Sequence, residues 1–152
     1  FIGIIAAVTG FKCFEDGKIT PEHRDRIVKQ TNRLRTGLAK GLYRNKDGEF
    51  MPKGSNMLEV KWDCELEYSA QSWADQCVLA HSREDQRDGI GENVYYYHTS
   101  SPKAFENSAI LLGIESWWSE LTKSYRNNPL NVYTPTVASQ RVSQFTQVGK
   151  FF

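Results

Sequence analysis

The sequence predicts one globular domain that combines helices with a few short strands, as an α+β fold or a three-layer arrangement. Three observations lead to that class. Three stretches carry apolar residues at helical spacing, two short stretches are rich in β-forming residues, and the composition is that of a single packed domain. Of the 152 residues, 39% are hydrophobic and 24% charged, too apolar for a disordered chain and long enough for one core. The formal net charge is only +1, and no basic block is interleaved with aromatics, which argues against nucleic acid as a partner.

The opening run, Phe1 to Gly10 (FIGIIAAVTG), is apolar apart from one threonine. It is too short to span a bilayer, so no stable membrane insertion is expected. The small residues Ala6, Ala7 and Gly10 fit the end of the apolar region and the cleavage zone of a secretory signal peptide. On that reading residues 1–10 are a remnant of the signal and 11–152 the folded domain. A buried N-terminal strand is the competing reading, because apolar runs of this length are ambiguous.

Thr20-Pro21-Glu22 supplies an N-cap, a proline at the first helical position and an early acid, so a first helix starts there. Ile27, Thr31, Leu34 and Leu38 continue it at helical spacing, with Arg24, Arg26, Lys29 and Arg33 between them, and it should end near Gly41. Tyr43 to Ser55, with Asp47-Gly48, Pro52 and Gly54, reads as an irregular connection. A second helix is expected from Cys64 to Ala80, because Leu66, Ala70, Trp73 and Cys77 share one face. Ser82 to Gly91 follows as a polar loop. Val94 to Tyr97 is rich in β-formers and predicts a short strand. Phe105, Ala109, Leu112, Trp117 and Leu121 predict a third, deeply buried helix over Pro102 to Lys123. Arg126 to Pro135 reads as loop, and the alternation around Phe145, Thr146 and Val148 predicts a final strand over Val142 to Phe152.

Cysteine usage in a chain read as exported points to an incomplete copy without fixing the pairing. Cys13, Cys64 and Cys77 form an odd set. If Cys64 and Cys77 lie on one helix they stand roughly 20 Å apart, far beyond the roughly 4–7 Å between Cα atoms that a disulfide allows. Cys13 can serve only one of them, and three free buried thiols are the alternative. No N-glycosylation sequon occurs. The three histidines are far apart in sequence, and no HExxH, CxxC, P-loop or GxSxG motif accompanies them.

Whole motifs carry more than spacing. Leu58 to Ser82 (LEVKWDCELEYSAQSWADQCVLAHS), Gly91-Glu92-Asn93-Val94-Tyr95, Trp117-Trp118-Ser119-Glu120 and Phe145-Thr146-Gln147-Val148 occur in that order. Together they resemble the motifs of the CAP superfamily, the SCP/TAPS domain. The likeness is to the nematode secreted, venom-allergen-like branch typified by Ancylostoma secreted proteins. Asn32-Arg33-Leu34-Arg35 also resembles the family's HNxxR start, with Thr31 where its histidine stands.

The resemblance implies a three-layer α-β-α sandwich, with a small antiparallel sheet between helices. It covers about the first three quarters of such a domain, so the fold is expected to be C-terminally truncated and to miss its last strands. Gly149-Lys150-Phe151-Phe152 is then expected to be translated intron. The resemblance also implies a cleft tetrad, which falls on His81, Glu92, Glu120 and Gln144. Glu115 is the rival to Glu120, but the two point in different directions on one helix and the motif selects Glu120. The family's histidine pair binds a divalent metal, typically zinc. Here His81 keeps one ligand and Gln144 stands where the second is expected, which weakens zinc because an amide oxygen is a poor donor to it. The competing reading of the cluster is a hydrogen-bonded group that stabilises the cleft. His23 and His98 match no motif and are expected at the surface or in loops.

Tyr95, Tyr96 and Tyr97 are candidates for lipid binding, because consecutive tyrosines present amphipathic rings and the family's loop at this position is linked to sterols. The resemblance therefore implies a secreted, extracellular, non-enzymatic protein that binds a sterol or lipid, or host proteins, with a part in immune modulation. Two alternatives stand beside it. One is a hydrolase with His81 as base and Glu92 or Glu120 orienting it, with Ser82 and Ser119 beside the tetrad. The other is a truncated product without function.

Overall fold

The computed structural model describes residues 13, 18–100, 102–128 and 132–149, with only the backbone of 102–108. The proposed signal remnant at 1–10 and the closing residues 150–152 lie outside the described residues.

Local chemistry sets the first helix, α1 (Pro21–Ala39). The Thr20 hydroxyl accepts the His23 N–H at 3.2 Å, and Pro21 starts the helix. At the other end Gly41 takes φ +68°, and two bonds close a Schellman cap: Gly41 N–H to Leu38 O at 2.9 Å and Leu42 N–H to Gly37 O at 3.0 Å. A side chain at Gly41 would be strained and would sit 2.8 Å from the Met51 carbonyl.

The core lies where α1 meets the C-terminal helices. α3 (Pro102–Trp118), α4 (Glu120–Lys123), α5 (Pro135–Ala138) and α6 (Ser143–Val148) bring Trp118, Leu121, Val137, Val142 and Phe145 against Leu38 and Met51. Edge-to-face rings run through it, Tyr43 to Trp118 at 5.4 Å, Trp118 to Phe145 at 5.3 Å and Tyr125 to Phe145 at 5.4 Å. Leu121 and Val142 are fully enclosed, each contributing roughly 1.5–3 kcal/mol of apolar burial.

Several sequence expectations need correction. α2 (Cys64–Ala74) stops six residues short of Ala80. Cys77 takes a left-handed φ of 52°, and the Trp73 indole N–H captures the Ala80 carbonyl at 2.9 Å, which folds the chain back. The face drawn through Leu66 and Trp73 is not a core face, since no residue of α2 is buried. The third helix spans its expected length but breaks at Ser119, whose hydroxyl bonds back to the Ser116 carbonyl at 2.7 Å. Among the described residues Val94–Tyr97 joins no ladder, and the expected final strand carries the helix α6. Among the described residues the one β pairing is an isolated antiparallel bridge between Arg44 and Phe50, so the small sheet of the expected sandwich is not seen there. The loop expected to reach Pro135 ends at Thr134, whose hydroxyl accepts the Val137 N–H and starts α5.

α2 is tethered to the helical body by polar and covalent ties. A disulfide joins Cys13 to Cys64, with Cα atoms 5.4 Å apart, and Cys77 is a free, exposed thiol. Arg24 on α1 grips Glu67 on α2 bidentately, Nε and Nη2 each 2.7 Å from a carboxylate oxygen, and the Trp62 indole N–H adds a third bond at 2.6 Å.

Candidate functional site

The turn that follows α2 places His81 and Ser82 against the return of the chain at Gly91–Glu92. His81 Nδ1 stands 2.8 Å from Glu92 Oε1. The Ser82 backbone N–H reaches the same oxygen at 2.9 Å, and its hydroxyl donates to Oε2 at 2.7 Å. Arg87 braces this turn by donating to the carbonyls of Ser82 and Ile90, and its Nε lies 4.0 Å from Glu92. Burial pushes the Glu92 carboxyl up, but the Ser82 bonds and His81 together outweigh it and hold it below the usual range. The His81 side chain is 54% exposed and that of Glu92 19%, so the carboxylate is the sheltered member of the pair.

Glu120 and Gln144 are engaged elsewhere. Glu120 Oε2 accepts the Phe145 N–H at 2.8 Å, an end-cap for α6 supplied from another helix. Burial pushes the Glu120 carboxyl above its usual range, against the opposing backbone bonds of Phe145 and Gln144. The Gln144 side-chain amide donates to the Val94 carbonyl at 3.4 Å, and the Trp117 indole N–H reaches the same oxygen at 3.1 Å. Asn93 donates to the Gln144 carbonyl at 3.0 Å. Of the four positions, His81 and Glu92 bond to each other, while the side chains of Glu120 and Gln144 bond to the backbone of Phe145 and Val94. Among the described residues, no three His, Cys, Asp or Glu side chains are gathered to hold a metal.

Each sequence motif acts as a clasp. Asn32 exchanges two bonds of 2.9 Å with the backbone of Val60, and Arg35 donates to the carbonyls of Leu58 and Val148. Gly91 leaves room for the Gln147 amide, which lies 2.0 Å from where a Cβ would sit. Glu115 is exposed, His98 is exposed, and His23 is half-buried in the first turn of α1 rather than solvated. Tyr95 lies over Gly113 of α3, Tyr96 is exposed, and Tyr97 is half-buried.

A cavity of about 910 Å³ opens beside Glu92. Its rear wall is the apolar core surface of Met51, Tyr125, Val137 and Phe145, its lip carries Val132 and Tyr133, and Lys53 and Arg87 place positive charge on its rim. None of Tyr95, Tyr96 or Tyr97 lines it. Sequence reasoning missed this cavity, the Ser82 anchor and the Arg24–Glu67 grip. No motif spacing announces contacts between residues as far apart as 43 positions.

The profile of the Cysteine-rich secretory protein family, CAP, matches residues 28–149. The chain belongs to this family. Ancylostoma secreted protein from Ancylostoma caninum is 33% identical over 144 residues, covering 93% of this chain and 33% of its own length. Venom allergen 5 from Tityus serrulatus is 29% identical over 136 residues, 86% of this chain and 30% of its own. The CAP chain therefore spans about a third of the length of these curated relatives. Of solved structures, BmVAL-1 is 48% identical with a TM-score of 0.86, over 91% of this chain and 68% of that one. NaASP2, solved with Zn2+, is 30% identical with a TM-score of 0.80, over 90% of this chain and 70% of that one. The CAP likeness accounts for the helix arrangement, and the relatives' names place the family among secreted, venom-allergen-like proteins. Among the described residues no helix is long and apolar enough to cross a membrane.

Proposed function

We infer that this CAP chain is an exported binding module without catalytic chemistry of its own, and that it holds a sterol or another lipid. The carrying observation is the cavity of about 910 Å³, within the range of small-molecule sites, whose lining joins the apolar Met51, Val137 and Phe145 to polar and charged residues such as Lys53, Asn56, Arg87 and Glu92. Tyr96, exposed on the neighbouring segment, is a second proposed lipid contact.

The cleft supports binding over hydrolysis. A hydrolase needs a nucleophile bonded to its base, but the Ser82 hydroxyl is committed to Glu92 and His81 Nδ1 to the same carboxylate. Glu92 would orient His81, yet no hydroxyl or thiol is bonded to that imidazole among the described residues. Zinc, which accompanies the relative NaASP2, fits these residues poorly. Of four proposed positions only His81 is a nitrogen ligand, Glu120 is occupied by the Phe145 N–H, and Gln144 presents its amide nitrogen to Val94.

A host protein is the second reading. Leu66, Val78 and Leu79 are 46%, 53% and 69% exposed on and just after α2, an apolar surface of the kind that partners cover. Titration with a fluorescent sterol, in competition with unlabelled cholesterol, tests the first reading: saturable one-to-one binding is expected. Turnover of ester or peptide substrates that disappears in His81→Ala would replace it with the hydrolase.

A further inference from the structure

We propose that the solvent face of α1 binds a linear sulfated polysaccharide, held by Arg26, Lys29, Arg33 and, at the helix cap, Lys40. Between Asp25 and Asp47 the sequence carries seven lysines and arginines and no acid, in a chain whose formal net charge is only +1. Charge is therefore segregated along the chain rather than mixed, which favours a partner of opposite sign. The helix turns that run into a line. Arg26, Lys29, Arg33, Thr36 and Lys40 follow one another at steps of three and four residues, so they share one face, and all five are exposed. The opposite face carries Arg24, Arg35 and Leu38, all buried.

The chemistry of that face sets the kind of partner. From Arg26 to Lys40 it holds four cations and Thr36 but no apolar side chain, so a protein segment laid over it would dehydrate charge without burying apolar surface in return. Lys29, Arg33 and Lys40 form no ion pair among the described residues. Glu59, bonded to the Asn32 amide at 3.4 Å, flanks the line without pairing to it. Glu22 and Asp25 lie before Arg26, so an anion is drawn toward the Lys40 end.

A line of cations roughly 21 Å long and one side chain wide matches an extended chain with sulfates spaced along it, which arginines grip bidentately and lysines meet as point charges. A bilayer surface fits less well, because a helix lying on a membrane sets bulky apolar residues beside its basic ones and this face has only Thr36 between them. Single-stranded nucleic acid also fits less well, since no aromatic ring stands in the line for bases to stack on. No α1 residue lines the cavity, so this site is independent of the lipid reading.

The test is a titration of the full chain against a fluorescein-labelled heparin oligosaccharide, followed by anisotropy over a series of salt concentrations. Saturable binding is expected, with log K falling against log salt at a slope of roughly −3, as the release of about four counterions requires. Lys29→Glu with Arg33→Glu is expected to weaken binding at least about tenfold, whereas Lys123→Glu with Arg141→Glu, the same change of net charge placed off α1, leaves it within about twofold. Should the first pair disturb the fold in circular dichroism, Lys29→Gln with Arg33→Gln takes its place, with an expected loss of at least about threefold. Absence of saturable binding at low salt, or equal losses in the α1 pair and the distant pair, overturns the proposal. So does displacement of the oligosaccharide, at matched charge concentration, by phosphatidylserine vesicles or a DNA duplex.

Discussion

The Gln144 side-chain amide donates to the Val94 carbonyl at 3.4 Å, while Asn93 donates to the Gln144 carbonyl at 3.0 Å. This exchange turns a position expected in a metal cleft into a strut between α6 and the segment after Glu92. The same carbonyl of Val94 also takes the Trp117 indole N–H, so three motifs meet at one backbone group.

A zinc consequence follows from that strut. A metal that bound the folded chain at a hundredfold excess over its dissociation constant would add about 2.7 kcal/mol and raise Tm by several degrees. Zinc at micromolar concentration is expected to leave Tm unchanged, with the same value in EDTA, as read by scanning calorimetry. A rise of several degrees that is lost in His81→Ala would show that the donors assemble after all.

Acid should act on two groups in opposite senses. The Glu67 carboxyl is held below its usual range, first by the Arg24 hydrogen bonds, against burial and with help from Trp62. Its stabilisation is complete above the ordinary carboxylate pKa of about 4.3 and is lost as pH falls through the depressed folded value. Glu120 is raised by burial, so it contributes the reverse: stability is gained as pH falls through its raised value toward the unfolded one. The Trp62 indole N–H resonance, bonded to Glu67 at 2.6 Å, is expected to shift only below about pH 4. Glu120→Gln should remove the gain at mildly acidic pH in a Tm profile. An indole shift between pH 5 and 6 would contradict the assignment to Glu67.

Close packing at Gly37 makes a third prediction. The Tyr43 ring lies 2.6 Å from where a Cβ would sit, and that ring packs edge-on against Trp118. Gly37→Ala should cost about 1–3 kcal/mol in urea unfolding through overpacking, although alanine is favoured by about 1 kcal/mol in a helix interior. Gly91→Ala meets only the mobile end of the exposed Gln147 side chain and should be milder. Equal effects at both positions would mean that the Tyr43 ring moves freely.

What the sequence made legible was local. Thr20, Pro21 and Gly41 bound α1 with their own backbone chemistry, so both of its ends were readable. The α6 region was not, because Phe145, Thr146 and Val148 suit a strand, and the cap that favours the helix comes from Glu120, 25 positions away. α2 has the right period, yet none of its residues is buried here, so its helix was legible and its packing was not. At the site, His81 stands beside Glu92, while no spacing could assign Glu120 to a helix cap or reveal the cavity behind Glu92.

The lipid reading depends on the lip of that cavity, where Val132 and Tyr133 stand exposed and apolar. Equilibrium titration of the fluorescent sterol into the unaltered chain and into the double variant Val132→Asp, Tyr133→Asp tests it most directly. The account predicts saturable binding that weakens at least about tenfold, roughly 1.4 kcal/mol, in the double variant and persists in His81→Ala. Binding that is absent from the unaltered chain, or that is equally tight in the double variant, would contradict it.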